Sequence, residues 1–161
     1  MADLFSASEL LNIAIREEVN GAAFYRALAK KADSGALREF SEDVAQMEDD
    51  HAEKFRDLLG RIGDHEPPES YEGEYEEYLS YLIEGRIFPV GADGEKLADE
   101  QKSDLEAVET AAEMEKNTLL LYQELLGFVP ESQHEIVEKI MDEERLHLTK
   151  STKFKEDFLS S

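Results

Sequence analysis

The stretch KIMDEERLHLTK, residues 139–150, combines a helical apolar stripe with two polar side chains that lie on it. If the segment is a helix, the stripe runs through Val137, Ile140 and Leu148, and the 3.6-residue period places Glu144 and His147 on the same face. Burying a carboxylate and an imidazole in an apolar core costs several kcal/mol unless a partner compensates them. The nature of that partner decides how the rest of the sequence is interpreted.

Four segments of the chain show the periodicity of amphipathic helices. They are predicted at about residues 8–32, at about 36–60, from 97 or 103 to 127, and at about 132–154. The links within the first pair and within the second pair are short, which predicts two antiparallel hairpins. A crossover of about residues 61–96 joins them, and its residues 75–82 predict one short amphipathic helix that ends at Gly85.

No strand-like alternation competes with this interpretation. The sequence therefore predicts one all-α domain, residues 1–161, folded as a ferritin-like four-helix bundle of two antiparallel hairpins joined by a long crossover with a short helix.

Composition narrows the choice of partners. The chain has 17 Lys and Arg against 39 Asp and Glu, a formal net charge of -22. That charge repels phosphate backbones and anionic bilayers, so neither nucleic acid nor a membrane is an expected partner. The chain has no cysteine, which excludes disulfides, thiolate metal sites and thiol catalysis. There is neither a basic leader nor an apolar run of roughly 20 residues, so we expect a cytoplasmic protein.

The two predicted hairpins carry the same polar pattern. Each has a glutamate, a tyrosine seven residues later, and, about 30 residues after the glutamate, a second glutamate three residues before a histidine. The first copy consists of Glu18, Tyr25, Glu48 and His51, and the second of Glu115, Tyr122, Glu144 and His147. The two glutamate-to-glutamate intervals, 30 and 29 residues, are nearly equal, which predicts that matching groups lie at matching heights in the bundle.

All four glutamates and both histidines fall on the apolar stripes of their helices, so they are predicted to point inward. One Glu from each of two helices and a Glu-x-x-His from each of the other two form a dinuclear metal site in a bundle core. Two divalent cations would neutralise the four carboxylates, which otherwise would take up protons or destabilise the fold. Oxygen ligands with one imidazole per metal suit Fe(II), Mn(II) or, less selectively, Zn(II). The predicted ligands are Glu18, Glu48, His51, Glu115, Glu144 and His147.

Each of these features also has a plainer interpretation. A bare Glu-x-x-His pair is common in so acidic a chain, as Glu131 and His134 show at the start of the fourth helix, away from any apolar stripe. Tyr25 and Tyr122 are either core residues or, as their spacing from a ligand glutamate favours, hydrogen-bond donors that orient the ligand carboxylates. The metal site is favoured because the whole pattern occurs twice and each copy lies on the apolar faces of its helices.

The sequence resembles the rubrerythrin branch of the ferritin-like superfamily. The similarity lies in AIREEVNGAAFYRALA, MEDDHAEKFRDLL, AAEMEKNTLLLYQEL and IMDEERLHLTK. The resemblance implies a di-iron centre on the six residues named above, although the ligand types also serve Mn/Fe or Mn pairs. It also implies reduction of hydrogen peroxide or oxygen to water, and a homodimer.

Three departures from that family qualify the resemblance. The four cysteines of a rubredoxin module are absent, so a separate donor protein must supply electrons. Ala112 and Thr118 stand one turn from Glu115, where rubrerythrins carry a further glutamate. Asp49 follows Glu48, where bacterioferritin has its haem-binding methionine, so no haem is expected.

The predicted function is therefore a non-haem di-iron oxidoreductase that acts on hydrogen peroxide or oxygen. Within the same fold the alternative is a ferroxidase for iron storage or detoxification. From a different class, the alternative is a non-catalytic acidic helical bundle that binds a cationic partner.

Overall fold

The structure, a computed structural model, describes residues 6–63, 71–74, 77, 93–127 and 129–161. Its helices are α1 (Ala7–Lys31), α2 (Gly35–Ile62), α3 (Gly94–Glu100), α4 (Asp104–Leu126) and α5 (His134–Ser160), with a 3₁₀ helix at Glu131–Gln133. No strand occurs in these ranges, which confirms the all-α prediction. The short helix predicted at residues 75–82 falls, except for residue 77, outside the described residues.

Serine side chains fix the starts of three long helices. Ser6 accepts a hydrogen bond from the backbone N–H of Glu9, and the Glu9 carboxylate accepts one from the N–H of Ser6 at 2.7 Å, a capping box. The Ser34 side chain accepts from the N–H of Leu37 at the start of α2, and the Ser103 side chain accepts from the N–H of Glu106 at the start of α4. Of the two starts that the sequence left open for the third long helix, Ser103 is the observed one, and residue 97 belongs to the separate helix α3.

The long helices pair as two antiparallel hairpins. Between α1 and α2, the Tyr25 ring packs edge-on against Phe40 at 6.2 Å, and an earlier residue, Glu18, lies beside a later one, His51. Between α4 and α5, Glu115 lies beside His147, and the connection is held by a 2.8 Å contact between Nε2 of His134 and the carbonyl of Val129. The partners run in opposite directions, as short connections require.

Apolar side chains of all four long helices form one core. Phe24 and Tyr25 of α1, Leu37 of α2 and Ile140 of α5 are almost completely buried in it. Phe40 and Phe154 stack at 4.0 Å and so join α2 to α5 across the hairpins. Among the described helices, none combines the length and the apolar run needed to cross a membrane.

The short helix α3 is seated on α1 by a close backbone contact. A Cβ atom added at Gly94 would lie only 1.9 Å from the carbonyl oxygen of Asn20, so a residue without a side chain is required there. At the other end of α3, Nζ of Lys31 donates hydrogen bonds of 2.8 to 3.1 Å to the carbonyl oxygens of Ala98, Asp99 and Gln101. The helix α3, where the chain comes back from the crossover, is therefore held against α1 of the first hairpin.

Candidate metal centre

The six predicted ligand side chains converge inside the bundle, and each is at most 5% exposed. The fold brings them together from every long helix: Glu18 from α1, Glu48 and His51 from α2, Glu115 from α4, and Glu144 and His147 from α5. Because each sits on the apolar stripe of its helix, packing the stripes together buries the polar groups with them. The structure separates none of the six from the cluster.

The two histidines lie against each other at the centre. Their rings stack with centroids 4.5 Å apart and planes 17° apart, and Nε2 of His147 lies 2.6 Å from Nδ1 of His51. The same Nδ1 of His51 is 3.6 Å from Oε2 of Glu18. Ligand atoms of Glu18, His51 and His147 all lie within 4.8 Å of one another, which is close enough to surround one cation.

A second group of three lies on the other side of His147. Its Nδ1 is 3.4 Å from Oε1 of Glu48 and 3.5 Å from Oε2 of Glu115, and these ligand atoms also lie within 4.8 Å of one another. Glu144 belongs to neither group of three, although its Oε2 lies 3.9 Å from the same Nδ1. The cluster thus contains two adjoining groups of possible ligand atoms, and His147 belongs to both.

The carboxyl groups are in an environment that disfavours their charge. Burial raises the pKa of Glu18, of Glu48 and of Glu144 well above the ordinary value, and the neighbouring carboxylates add to the shift. Burial, together with the nearby imidazole of His147, lowers the pKa of His51 to about 4. Burial alone would also lower the pKa of His147, but the carboxylate of Glu115, 3.5 Å from its Nδ1, and the charge of Glu48 raise it to about 9. Cations at this position would remove the repulsion among the carboxylates.

Unpartnered polar atoms gather at the same place. Among the described residues, the buried side-chain atoms without a hydrogen-bond partner are one oxygen each of Glu18 and Glu144, Nδ1 of His147, the Tyr122 hydroxyl, both oxygens of Glu17, and, elsewhere, the hydroxyl of Ser41. Each such atom costs about 1–3 kcal/mol when it is left unpaired. Oxygen and imidazole donors of this kind fit a pair of Fe(II) or Mn(II) ions, so the residues present suit a dinuclear centre.

The two tyrosines differ in their surroundings. The Tyr25 hydroxyl donates a 2.7 Å hydrogen bond to Oε1 of Glu115 and lies 3.5 Å from the hydroxyl of Ser151. The Tyr122 hydroxyl is equally buried but has no partner. The contact expected of both tyrosines with a ligand carboxylate is therefore present at Tyr25 and absent at Tyr122 in this structure.

Sequence reasoning overlooked Glu143, which precedes the ligand Glu144. Its Oε2 lies 2.9 Å from Nε2 of His51, while its other oxygen accepts from Lys54 at 3.3 Å. A carboxylate on this nitrogen holds the ring so that Nδ1 faces the cluster. The only signal in the sequence was a run of acidic residues, Asp142 to Glu144, too common here to single out one member.

Two residues of α1 were also overlooked. A Cβ atom added at Gly21 would lie 3.1 Å from the carboxyl carbon of Glu48, so this glycine makes room for that ligand. Glu17 is 6% exposed, and burial raises its pKa to about 8. Between α1 and α4 a cavity of ≈ 10 Å³ is lined by the four ligand glutamates together with Glu17, Gly21, Met114 and Thr118.

Comparison with known proteins gives one family and two similar structures. The family model described as Rubrerythrin matches residues 9–155. A candidate ferritin-like diiron-carboxylate protein of Thermotoga maritima is 28% identical, with 94% of this chain and 95% of that chain covered and a TM-score of 0.61. A hypothetical protein of Pyrococcus furiosus is 24% identical, with 97% and 92% covered and a TM-score of 0.60, and supports the fold alone. No curated protein matches the chain.

Proposed function

The chain belongs to the rubrerythrin family, and from that premise we propose that it is a non-haem di-iron oxidoreductase that reduces hydrogen peroxide, or oxygen, to water. The electrons would come from a separate donor protein, because the chain has no cysteine to hold a rubredoxin-type iron of its own. The proposal includes a homodimer in the cytoplasm. Because the chain is strongly acidic, the proposal includes neither nucleic acid nor a membrane as a partner.

The observation that carries the proposal is the convergence of six buried ligand side chains from four helices with their unpartnered atoms. The metal pair would be held by Glu18, Glu48, His51, Glu115, Glu144 and His147. When bound there, two ferrous ions would supply one electron each to hydrogen peroxide, which with two protons would give two molecules of water. Mn/Fe and Mn pairs fit the same ligand types.

The chain's own residues prepare the centre for this chemistry. The Tyr25 hydroxyl holds one oxygen of Glu115, and the carboxylate of Glu143 holds His51 through Nε2. The surrounding apolar side chains keep bulk water away, which strengthens every electrostatic interaction among the ligands. The glutamate side chains would supply the negative charge that holds the metal pair, and the two histidines would supply neutral nitrogen ligands.

Anaerobic titration with Fe(II), followed by mixing with hydrogen peroxide and separately with oxygen, tests the proposal. We expect two Fe(II) per chain to bind, and peroxide to oxidise them faster than it oxidises free Fe(II). The Glu144→Ala variant is the control and should lose at least one of the two ions. Oxidation no faster than that of free Fe(II) would contradict the proposal.

The iron titration, together with gel filtration and the stability of Glu144→Ala, separates the two alternatives. A ferroxidase for storage would prefer oxygen, take up more than two Fe(II) per chain and elute from gel filtration as a large cage. A non-catalytic acidic bundle would bind less than one metal ion per chain, and Glu144→Ala would leave its stability unchanged or raise it, because a buried uncompensated charge has gone.

A further inference from the structure

A second cavity lies between α1 and α2, apart from the candidate metal centre. Its volume is ≈ 540 Å³, and its wall, which we call the α1–α2 groove, includes Arg26, Ala29, Lys30, Arg38, Glu42 and Ala45. None of the six predicted ligands, all of which the structure describes, lines this groove. Its chemistry therefore has to be explained from its own side chains.

Small side chains open the groove. Ala29 of α1 and Ala45 of α2 are 8% and 3% exposed, so they form its floor, and a methyl group is too short to fill the space between two neighbouring helices. The longer side chains above them are exposed and form the rim. The groove thus has an apolar floor and a polar rim, and its volume falls in the range of about 300–1,000 Å³ that is usual for small-molecule sites.

The rim reverses the charge of the chain. It carries three basic side chains, Arg26, Lys30 and Arg38. The one acid among its lining residues is Glu42, whereas acids outnumber bases 39 to 17 in the whole sequence. Arg26 is paired with Asp49, but within the described part of the chain neither of the other two bases forms an ion pair. The rim therefore keeps positive charge that no carboxylate of the described protein neutralises.

Hydrogen-bond donors also remain free at the rim. Arg38 donates one of its five N–H groups to the carbonyl oxygen of Ala32 at 3.0 Å, which holds the guanidinium beside the end of α1. The ammonium of Lys30 has three N–H donors and no hydrogen bond to any described residue. A guanidinium matches two oxygens of a phosphate group, and an ammonium adds a point charge. The rim is thus suited to a phosphate.

The acidity of the whole chain limits the size of the ligand. A nucleic acid or an acidic protein would bring most of its negative charge against the remaining acidic surface and be repelled. A small molecule stays within the distance of about 8 Å over which charges act at physiological ionic strength. The apolar floor accepts an organic group, which inorganic phosphate lacks. The combination favours a small molecule with one phosphate group and an organic part.

We propose that the α1–α2 groove binds a small organic phosphate. Its phosphate group is held by Lys30 and Arg38, and its organic part covers Ala29 and Ala45. This site is separate from the proposed metal centre and needs no metal ion. Its test therefore uses metal-free protein, and failure of the proposed function leaves the test unaffected.

Calorimetric titration of the metal-free protein, after the chelator has been removed, tests the inference. The probe is adenosine monophosphate, and adenosine, inorganic phosphate and a heptaglutamate peptide are compared with it. We expect one adenosine monophosphate to bind per chain and adenosine not to bind. Inorganic phosphate should bind about tenfold more weakly, because it cannot bury an organic group on the alanine floor.

Three variants that each remove one positive charge show where the probe binds. Lys30→Gln and Arg38→Gln should each weaken binding of adenosine monophosphate by about tenfold, the usual effect of losing a hydrogen bond to a charged group. Lys139→Gln, on α5 with a side chain 61% exposed, is the matched control and should bind as the wild type does. Lys30 has no hydrogen bond to lose among the described residues, so its variant should keep the fold, which thermal unfolding checks.

Several results would overturn the inference. They are no binding of adenosine monophosphate at millimolar concentration, equal affinities of the three variants, and adenosine or inorganic phosphate binding as tightly as adenosine monophosphate. Tighter binding of heptaglutamate than of adenosine monophosphate would also overturn it, because the groove would then be a docking site for an acidic protein.

Discussion

The hydroxyl of Tyr25 on α1 donates a 2.7 Å hydrogen bond to Oε1 of Glu115 on α4, so one phenol joins a ligand of the second hairpin to the first. Without that bond Glu115 can turn away from the centre. We therefore expect Tyr25→Phe to weaken Zn(II) binding by about 10- to 100-fold, the usual effect of removing a group that orients a metal ligand.

Tyr122→Phe is the matched control for this prediction, because the buried Tyr122 hydroxyl has no partner to lose. Calorimetric titration should show a smaller loss for Tyr122→Phe than for Tyr25→Phe. Equal losses would mean that Tyr122 reaches a ligand carboxylate once the centre is loaded, as the sequence pattern predicts for both tyrosines.

Gly21→Ala should separate fold stability from metal binding. Alanine is favoured over glycine inside a helix by about 1 kcal/mol, so the helix itself gains. The new methyl group, however, would lie 3.1 Å from the Glu48 carboxyl carbon and push that ligand aside. We expect thermal unfolding of the metal-free protein to change little or shift upward, while affinity for Zn(II) falls. Gly60→Ala, with open space around the added carbon, should leave metal affinity unchanged.

Glu143→Gln should weaken the centre through His51. A neutral amide in place of the carboxylate that lies 2.9 Å from Nε2 loosens the ring and reduces the basicity of Nδ1. The expected result is a metal affinity lower by about 10-fold or more. Lys54→Gln, which removes the other partner of Glu143, should have a smaller effect. If Glu143→Gln binds metal as the wild type does, the contact does not orient His51.

The metal-free protein should lose stability as pH rises from about 6.5 to 8. Burial raises the pKa of Glu17 from 4.5 to about 8, so the folded state holds this proton more tightly than the unfolded state does. The resulting stabilisation is complete below pH 4.5 and is lost as pH rises through about 8. His147, with a pKa raised from 6.5 to about 9, acts in the same direction. The lowered pKa of His51 acts in the opposite direction, but only below pH 6.5.

Thermal unfolding of chelator-treated protein across that range checks this pH dependence. Each group can contribute up to about 1.4 kcal/mol per pH unit. Glu17→Gln removes one of these groups and should flatten the profile. A midpoint that stays constant or rises between pH 6.5 and 8 would show that the carboxyl groups are not held protonated inside the fold.

Periodicity was sufficient to place the six predicted ligands in the sequence. A helix of 3.6 residues per turn fixes which positions share a face. Glu48 and His51 share a face with apolar residues of α2, so they are buried with them. The structure brings all six together, while their role as ligands remains a prediction. The start of α4 could not be chosen from the sequence, because residues 97 and 103 both begin plausible helices, and the structure shows two helices separated by Gln101, Lys102 and Ser103.

Glu17 and Glu143 could not be found by the same reasoning. Each lies one position from a predicted ligand and so points about 100° away from its stripe. Whether such a side chain is buried depends on the neighbouring helix: Gly21 and Thr118 leave room beside Glu17, and His51 comes within reach of Glu143 from α2. The residue pattern along one helix does not show how closely the neighbouring helix packs, so it does not predict these contacts.

Two attachments hold α3 on α1: the close approach of Gly94 to Asn20, and the hydrogen bonds from Lys31 to the end of α3. They limit how the chain can vary. Both attachments lie on α1, so contacts with this helix fix the position at which the polypeptide re-enters the bundle. A bulky substitution at position 94 would lift the anchor next to the helical turn that carries Glu17 and Glu18.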